Sequence, residues 1–238
     1  MNPVQTLNIN KISIEKAENV PQEHFDKAIK AKKFIDYVNN FQINHVEVDK
    51  ITILSIFMFG PNVGFINLNV DAKLKEAQKK IPGYVFLRGK AVAVLTIVNK
   101  TKILLVRQFR VPVGQFCLEC PAGMMDEEGH FLGVAAKEIE EETGLKIEEK
   151  DLISLGSIFP SQGGCDEEII LFALQTELSP EKIEEMQKKT YGEGEHEDIT
   201  LILQDFTYEN ILNSKDSKLI SAAYSYNQYL QKQQNQKL

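Results

Sequence analysis

The segment Lys137-Glu138-Ile139-Glu140-Glu141-Glu142-Thr143-Gly144-Leu145 constrains this chain more than any other. On a helix, successive residues turn by about 100°. Glu138, Glu141 and Glu142 then fall within roughly 100° of one another on one face. Leu132, Ala135, Ala136 and Ile139 form an apolar stripe beside that face, and Glu140 points to solvent. Three carboxylates on one face repel one another unless something cationic sits between them. Hard divalent cations such as Mg²⁺ take oxygen ligands and bridge readily to phosphates. The spacing therefore predicts a metal site for phosphate chemistry. A Glu-rich helix face is usually just solvated. That simpler reading does not account for Gly123, Gly144, the apolar Ile139 and Leu145, and the entry Pro121-Ala122-Gly123-Met124 in the same frame.

In that frame the segment resembles the Nudix box: Gly, five residues, Glu, seven residues, then Arg-Glu-apolar-x-Glu-Glu-x-Gly-apolar. Gly123 opens it, and Glu138, Ile139, Glu141, Glu142, Gly144 and Leu145 match. Two positions depart. Gly129 stands where the first Glu belongs, and Lys137 where the Arg belongs. In the family those two residues form a salt bridge that braces the loop against the helix. Losing the acid while weakening the base is self-consistent and leaves the metal-binding glutamates in place. Glu127 and Glu128 are the alternatives for the missing acid.

Composition narrows the function classes. The chain has 238 residues, 43% of them hydrophobic, enough for one good core plus an accessory region. Its net charge of −7 argues against general nucleic-acid binding, which needs a basic footprint. No apolar run of about 18 residues is present to span a membrane. The N-terminal stretch lacks an apolar core and Arg, so no targeting signal is evident and a cytoplasmic, intracellular location is expected. Cys117, Cys120 and Cys165 lack the further ligands a zinc site needs and read as reduced structural thiols. The chain carries 24 Lys but only three Arg, at positions 88, 107 and 110. A guanidinium offers a planar fork suited to phosphate and carboxylate, so Arg88 and Arg110 are candidates for substrate binding.

Along the chain, residues 1–20 are polar and read as loosely ordered. Residues 22–41 show helical spacing after Pro21. Two β-rich runs, 46–59 and 63–70, flank the turn Gly60-Pro61-Asn62, and a Lys-rich linker over 73–80 follows. The boundary is expected near 81–83, giving an N-terminal helix and β-hairpin region over 1–82 and a Nudix domain over 83–232. Strands are predicted at 84–88, 91–98, 103–110, 115–120, 152–158, 168–175 and 199–206. Helices are predicted near 180–189 and over 216–231, with the Gln/Lys-rich tail after 227 fraying. This order resembles the Nudix α/β/α sandwich, an α/β fold with a mixed sheet between helices.

The resemblance narrows further. Arg107-Gln108-Phe109-Arg110-Val111-Pro112 and Leu118-Glu119-Cys120-Pro121-Ala122-Gly123, with Pro160 after the box, look like the branch that cleaves ADP-ribose and other ADP-sugars. The stretch 159–168, with Met58-Phe59-Gly60 and Pro82-Gly83-Tyr84, looks most like plant-type ADP-sugar diphosphatases. Gln162 replaces a Pro common in that loop. The resemblance implies Mg²⁺, with Mn²⁺ as the alternative, held by Glu138, Glu141, Glu142 and the Ala122 carbonyl. Arg110 would grip a phosphate, and Glu119 would contact substrate or a metal-bound water. The general base would come from the loop Gly192-Glu193-Gly194-Glu195, with Glu195 the candidate and Glu193 and Glu197 competing. Asp166, Glu167 and Glu168 could anchor the arginines or simply pair at a strand start. A nucleotide-sugar substrate and a homodimer formed through the N-terminal strands follow from the same resemblance. The rivals are a UDP-sugar or other nucleoside-diphosphate substrate, and a catalytically silent nucleotide-binding module.

Overall fold

The structure, a computed structural model, describes residues 7–9 (by their backbone), 12–125, 130–192 and 198–236. They fall into two compact units. One runs up to Lys90 and takes in Ser161–Glu167; the other comprises Ala91–Pro160 and the chain from Glu168 onward.

In the first unit, β1 (Leu7–Ile9) and β2 (Ile12–Lys16) precede α1 (Gln22–Ala28) and α2 (Lys32–Asn39). The long hairpin of β3 (Val46–Phe59) and β4 (Asn62–Leu74) follows, then β5 (Lys79–Lys80) and β6 (Tyr84–Leu87). The polar N-terminus is thus not loose throughout. Ile12 and Ile14 alternate with polar residues and are buried, and β2 pairs in parallel with β3. The expected single helix is two. Phe25 and Phe34 lie nine residues apart, about 180° around a continuous helix, yet both are fully buried in one core. The extended Ala31 between the helices re-aims the second. The expected linker is instead the turn of a hairpin, residues 75–78 joining the end of β4 to β5: Lys73 pairs with Glu47 at 3.1 Å and Lys80 with Asp71 at 2.9 Å. These lysines are cross-strand partners.

The second unit begins with β7 (Ala91–Val98) and β8 (Lys102–Arg110), a single turn of 3-10 helix at Val111–Val113, β9 (Gln115–Glu119) and β10 (Ala122–Met124). Then come α3 (Phe131–Thr143), β11 (Leu152–Ile158), β12 (Ile169–Thr176), α4 (Pro180–Gln187), β13 (Thr190–Tyr191), β14 (Ile199–Asp205), α5 (Tyr208–Ser214) and α6 (Ser217–Asn235). Strand order among the described residues is β11-β12-β7-β8-β14-β13, with β10 added to β7 and β9 to β8. β12 runs parallel to β7 and the other pairs are antiparallel, so the sheet is mixed.

Every residue of β7 is buried, as a central strand covered on both faces requires. Ala91, Ala93, Leu95 and Ile97 pack with α5 and α6. Val92, Val94 and Val98 pack with α3 and α4. This is an α/β/α sandwich, as expected. The tail does not fray at 227. Tyr229 and Leu230 pack on the core and carry α6 to Asn235. The strand β10 and helix α5 were not anticipated; α5 is capped by Thr207, whose hydroxyl accepts from the Asn210 N–H at 3.3 Å.

Candidate active site

The helix α3 is fixed from behind. Ala135 and Ile139 are wholly buried against the sheet. The helix stops at Gly144, whose φ of +72° suits glycine and lets its N–H reach the Glu140 carbonyl at 2.9 Å. The buried Thr143 hydroxyl donates to the Ile139 carbonyl at 2.5 Å and accepts from the Leu145 N–H at 3.2 Å. With one side anchored, the helix presents the flank that carries Glu138 and Glu142 to β10.

β10 hangs on β7 by antiparallel pairing, with Ala122 opposite Ala93 and Gly123 opposite Val92. Glu142 is buried, and its Oε2 accepts from the Ala122 N–H at 2.9 Å. The Glu138 carboxylate lies directly over Gly123: a Cβ on that residue would come within 1.7 Å of Glu138 Oε1. Glycine is required here because a carboxylate occupies the space of a side chain. Glu141 belongs to the same helix face but is drawn to Lys137, 2.9 Å away. Lys137, in the position of the family's Arg, thus pairs one turn along its own helix. The structure therefore brings Glu138, Glu142 and Ala122 together and sets Glu141 beside Lys137. Among the described residues no three Asp, Glu, His or Cys side chains are already gathered around a point that could hold a metal. The oxygens of Glu138, Glu142 and the Ala122 carbonyl still fit a hard cation, which takes carboxylate and carbonyl ligands.

Next to this group lies a charge cluster. Glu119, at the end of β9, is buried. Its Oε1 accepts from Arg110 Nε at 2.7 Å and its Oε2 from Arg110 Nη2 at 3.3 Å. β8 pairs with β9, Glu119 opposite Val106 and Gln115 opposite Arg110, which puts Arg110 and Glu119 on one face of the pair, so the long arginine side chain reaches back along the strand to the carboxylate. Oε2 also accepts from Lys218 Nζ at 2.8 Å. Burial opposes the ionised carboxyl, but the hydrogen bond from Arg110 and the charge of Lys218 outweigh it and hold Glu119 at about 2. Burial likewise opposes the Lys218 charge, and Asp216 and Glu119 raise it above the ordinary lysine range. Asp216 caps α6, accepting the Lys218 N–H at 3.1 Å, and its Oδ2 takes the Cys120 N–H at 2.9 Å. Asp216 and Lys218 were not singled out from the sequence. They lie about a hundred residues from their partners, and no local motif marks them; Asp216-x-x-Leu219 before an apolar run is only a cap signal.

Arg88 belongs to the first unit. Its Nε lies 2.7 Å from Glu167 Oε1, an ion pair too poorly aligned to give Nε a hydrogen bond, and its guanidinium sits 5.5 Å from the Phe65 ring centre. Asp166 accepts the Arg88 backbone N–H at 2.6 Å. Glu168, the third of the acids expected near the arginines or paired at a strand start, accepts from the Ser157 hydroxyl at 2.8 Å. Glu195, with Glu193, Glu197, Gly129, Glu127 and Glu128, lies outside the described residues.

Comparison with known proteins bears on the family and the fold. The NUDIX domain model matches residues 87–236. A chloroplastic Nudix hydrolase 14 of Arabidopsis thaliana is 34% identical over 205 residues, covering 78% of this chain and 66% of that protein, just under two thirds of its length. An ADP-ribose pyrophosphatase of Bacillus subtilis is 34% identical over 144 residues, covering 59% of this chain and 71% of its own. The crystal structure of an ADP compounds hydrolase superposes with a TM-score of 0.59 at 17% identity, covering 79% of this chain and 96% of that one, and so shares its fold. With the NUDIX domain model matching most of its length, the chain belongs to the Nudix family, with its Nudix domain over residues 87–236.

Proposed function

We propose that this chain hydrolyses the pyrophosphate linkage of an ADP-sugar, ADP-ribose or ADP-glucose, to AMP and a sugar phosphate. The observation that carries the reading is the Glu138 carboxylate seated on Gly123, one helical turn from Glu142 on the Ala122 N–H. The named activity of the Bacillus relative supports the substrate class.

A pyrophosphate is anionic and repels nucleophiles. A divalent cation, Mg²⁺ or Mn²⁺, would supply charge neutralisation and an activated water when bound. Glu138, Glu142 and the Ala122 carbonyl would hold it, with Glu141 contributing once released from Lys137. Arg110, aimed by Glu119, would hold a phosphate oxygen, and Arg88 is a second candidate for binding substrate. Glu195 would take the proton of the attacking water. Water adds to one phosphorus, the P–O bond to the other phosphate breaks, and that phosphate leaves with the pair of electrons.

The N-terminal unit would form a homodimer. Phe57 and Phe59, 57% and 51% exposed at the end of the β3–β4 hairpin, are rings that such an interface would cover. An intracellular, cytoplasmic setting accords with three free cysteines, although the plant relative is named for the chloroplast. Among the described residues no helix is long and apolar enough to cross a membrane.

The test is release of nucleoside monophosphate, AMP from ADP-ribose, ADP-glucose and NADH and UMP from UDP-glucose, side by side with Mg²⁺ and with EDTA. Metal-dependent turnover preferring an ADP-sugar supports the reading. A preference for UDP-glucose or NADH, or no turnover on any, overturns it.

A further inference from the structure

Four charged groups form one closed cluster in the second unit. Lys218 Nζ lies 2.8 Å from Glu119 Oε2 and 2.9 Å from Asp216 Oδ1, and Arg110 holds Glu119 through Nε at 2.7 Å. Two cations face two carboxylates, so the cluster is neutral. Its members differ in exposure. The side chains of Lys218, Glu119 and Asp216 are 14%, 12% and 4% exposed, whereas that of Arg110 is 40% exposed. Arg110 is thus the open member, and the other three form its buried support. The Arg110 charge also feels Glu142, which places it at the edge of the carboxylate site.

We infer that Lys218 is a positioning residue for the hydrolytic reaction: it occupies one oxygen of Glu119 and balances Asp216, so that Arg110 keeps positive charge to offer an anionic phosphate. This rests on the proposed role of Arg110 in holding the substrate's pyrophosphate. Without the ammonium, two buried carboxylates would face a single guanidinium. The cluster would become net negative beside the place where an anion must bind, and Glu119 would turn wholly onto Arg110. The loss falls on binding more than on the chemical step, because Lys218 acts through Glu119 on Arg110, the group proposed to hold the phosphate. Asp216 also ties the Cys120 N–H, so the same pair holds the chain leading into Pro121 and Ala122.

The test compares wild type with Lys218→Met, Lys218→Arg and the double variant Asp216→Asn/Lys218→Met, on the ADP-sugar that wild type prefers. Lys218→Met should raise KM roughly tenfold, the scale expected for one uncompensated charge near a bound anion, with a smaller change in kcat. Lys218→Arg should restore KM. The double variant, neutral again, should bring KM back towards wild type although it is the more heavily altered protein. A merely structural role predicts the reverse, with the double variant worse than the single. Unchanged KM in Lys218→Met, or a double variant worse than it, overturns the inference. Should Lys218→Met not fold, Lys218→Gln takes its place with the same expectations. Should wild type cleave no ADP-sugar, the functional reading fails by itself. Calorimetric titration with inorganic pyrophosphate then decides: weaker binding by Lys218→Met supports the inference, and equal affinity, none included, overturns it.

Discussion

The Arg110 guanidinium donates through Nε to Glu119 Oε1 at 2.7 Å, in a site where Glu119 is almost wholly buried. This pair, with Lys218, keeps the carboxyl at about 2 rather than its usual 4.5. A carboxyl whose folded value is depressed adds stability above its unfolded value and loses it as pH falls through the folded one. The window is therefore from about 4.5 down to about 2. The shift is worth on the order of 3 kcal/mol. Denaturant unfolding of wild type and Glu119→Gln across that window should show the wild-type advantage shrinking as pH falls. An advantage independent of pH would contradict the account.

Gly123→Ala should spare the fold and damage the chemistry. The added Cβ meets the end of the Glu138 side chain at 1.7 Å, and a flexible carboxylate can swing away. That displacement removes a ligand. We expect turnover to fall by about tenfold or more with little change in Tm. Thermal unfolding and steady-state assays on the same preparation check both halves.

Gly144→Ala should do the opposite. The residue holds a φ of +72°, and a Cβ would sit 3.0 Å from the Tyr191 ring. Strain at a left-handed helix end costs about 1–2 kcal/mol. Tm should drop by several degrees, and activity per folded molecule should change less than in Gly123→Ala.

The proposed homodimer predicts a mass in light scattering of twice the 27.0 kDa chain. Replacing Phe57 and Phe59 with Ser should shift it towards the single chain, and a monomeric wild type would refute the interface.

What the sequence disclosed depended on distance along the chain. Strand β7 was legible because a run of eight residues, apolar but for Thr96 and rich in Val and Ile, reads as a covered strand or a core segment. The Glu138–Glu142 spacing was legible because one helical turn fixes it. Gly123 was legible as a motif position, but its reason, a carboxylate filling its side-chain space, needed coordinates. The break between α1 and α2 was hidden because Phe25, Ala28 and Ile29 share one face, and Phe34 and Val38, buried in the same core, betray the change of direction. The Lys73–Lys80 segment looked like a linker because its lysines find their acids on other strands. The Lys218–Glu119 contact spans 99 residues and left no local signature at all.

The account stands most directly on Glu142, whose Oε2 meets the Ala122 N–H at 2.9 Å. In Glu142→Gln the amide oxygen can still accept that hydrogen bond, so the fold should survive while the charge is lost. AMP release from an ADP-sugar should be measured for wild type and Glu142→Gln across a Mg²⁺ titration, with EDTA as the control. We predict metal-dependent release by wild type and a loss of roughly 10²-fold or more in the variant. Equal turnover by the two proteins would contradict the assignment of this site.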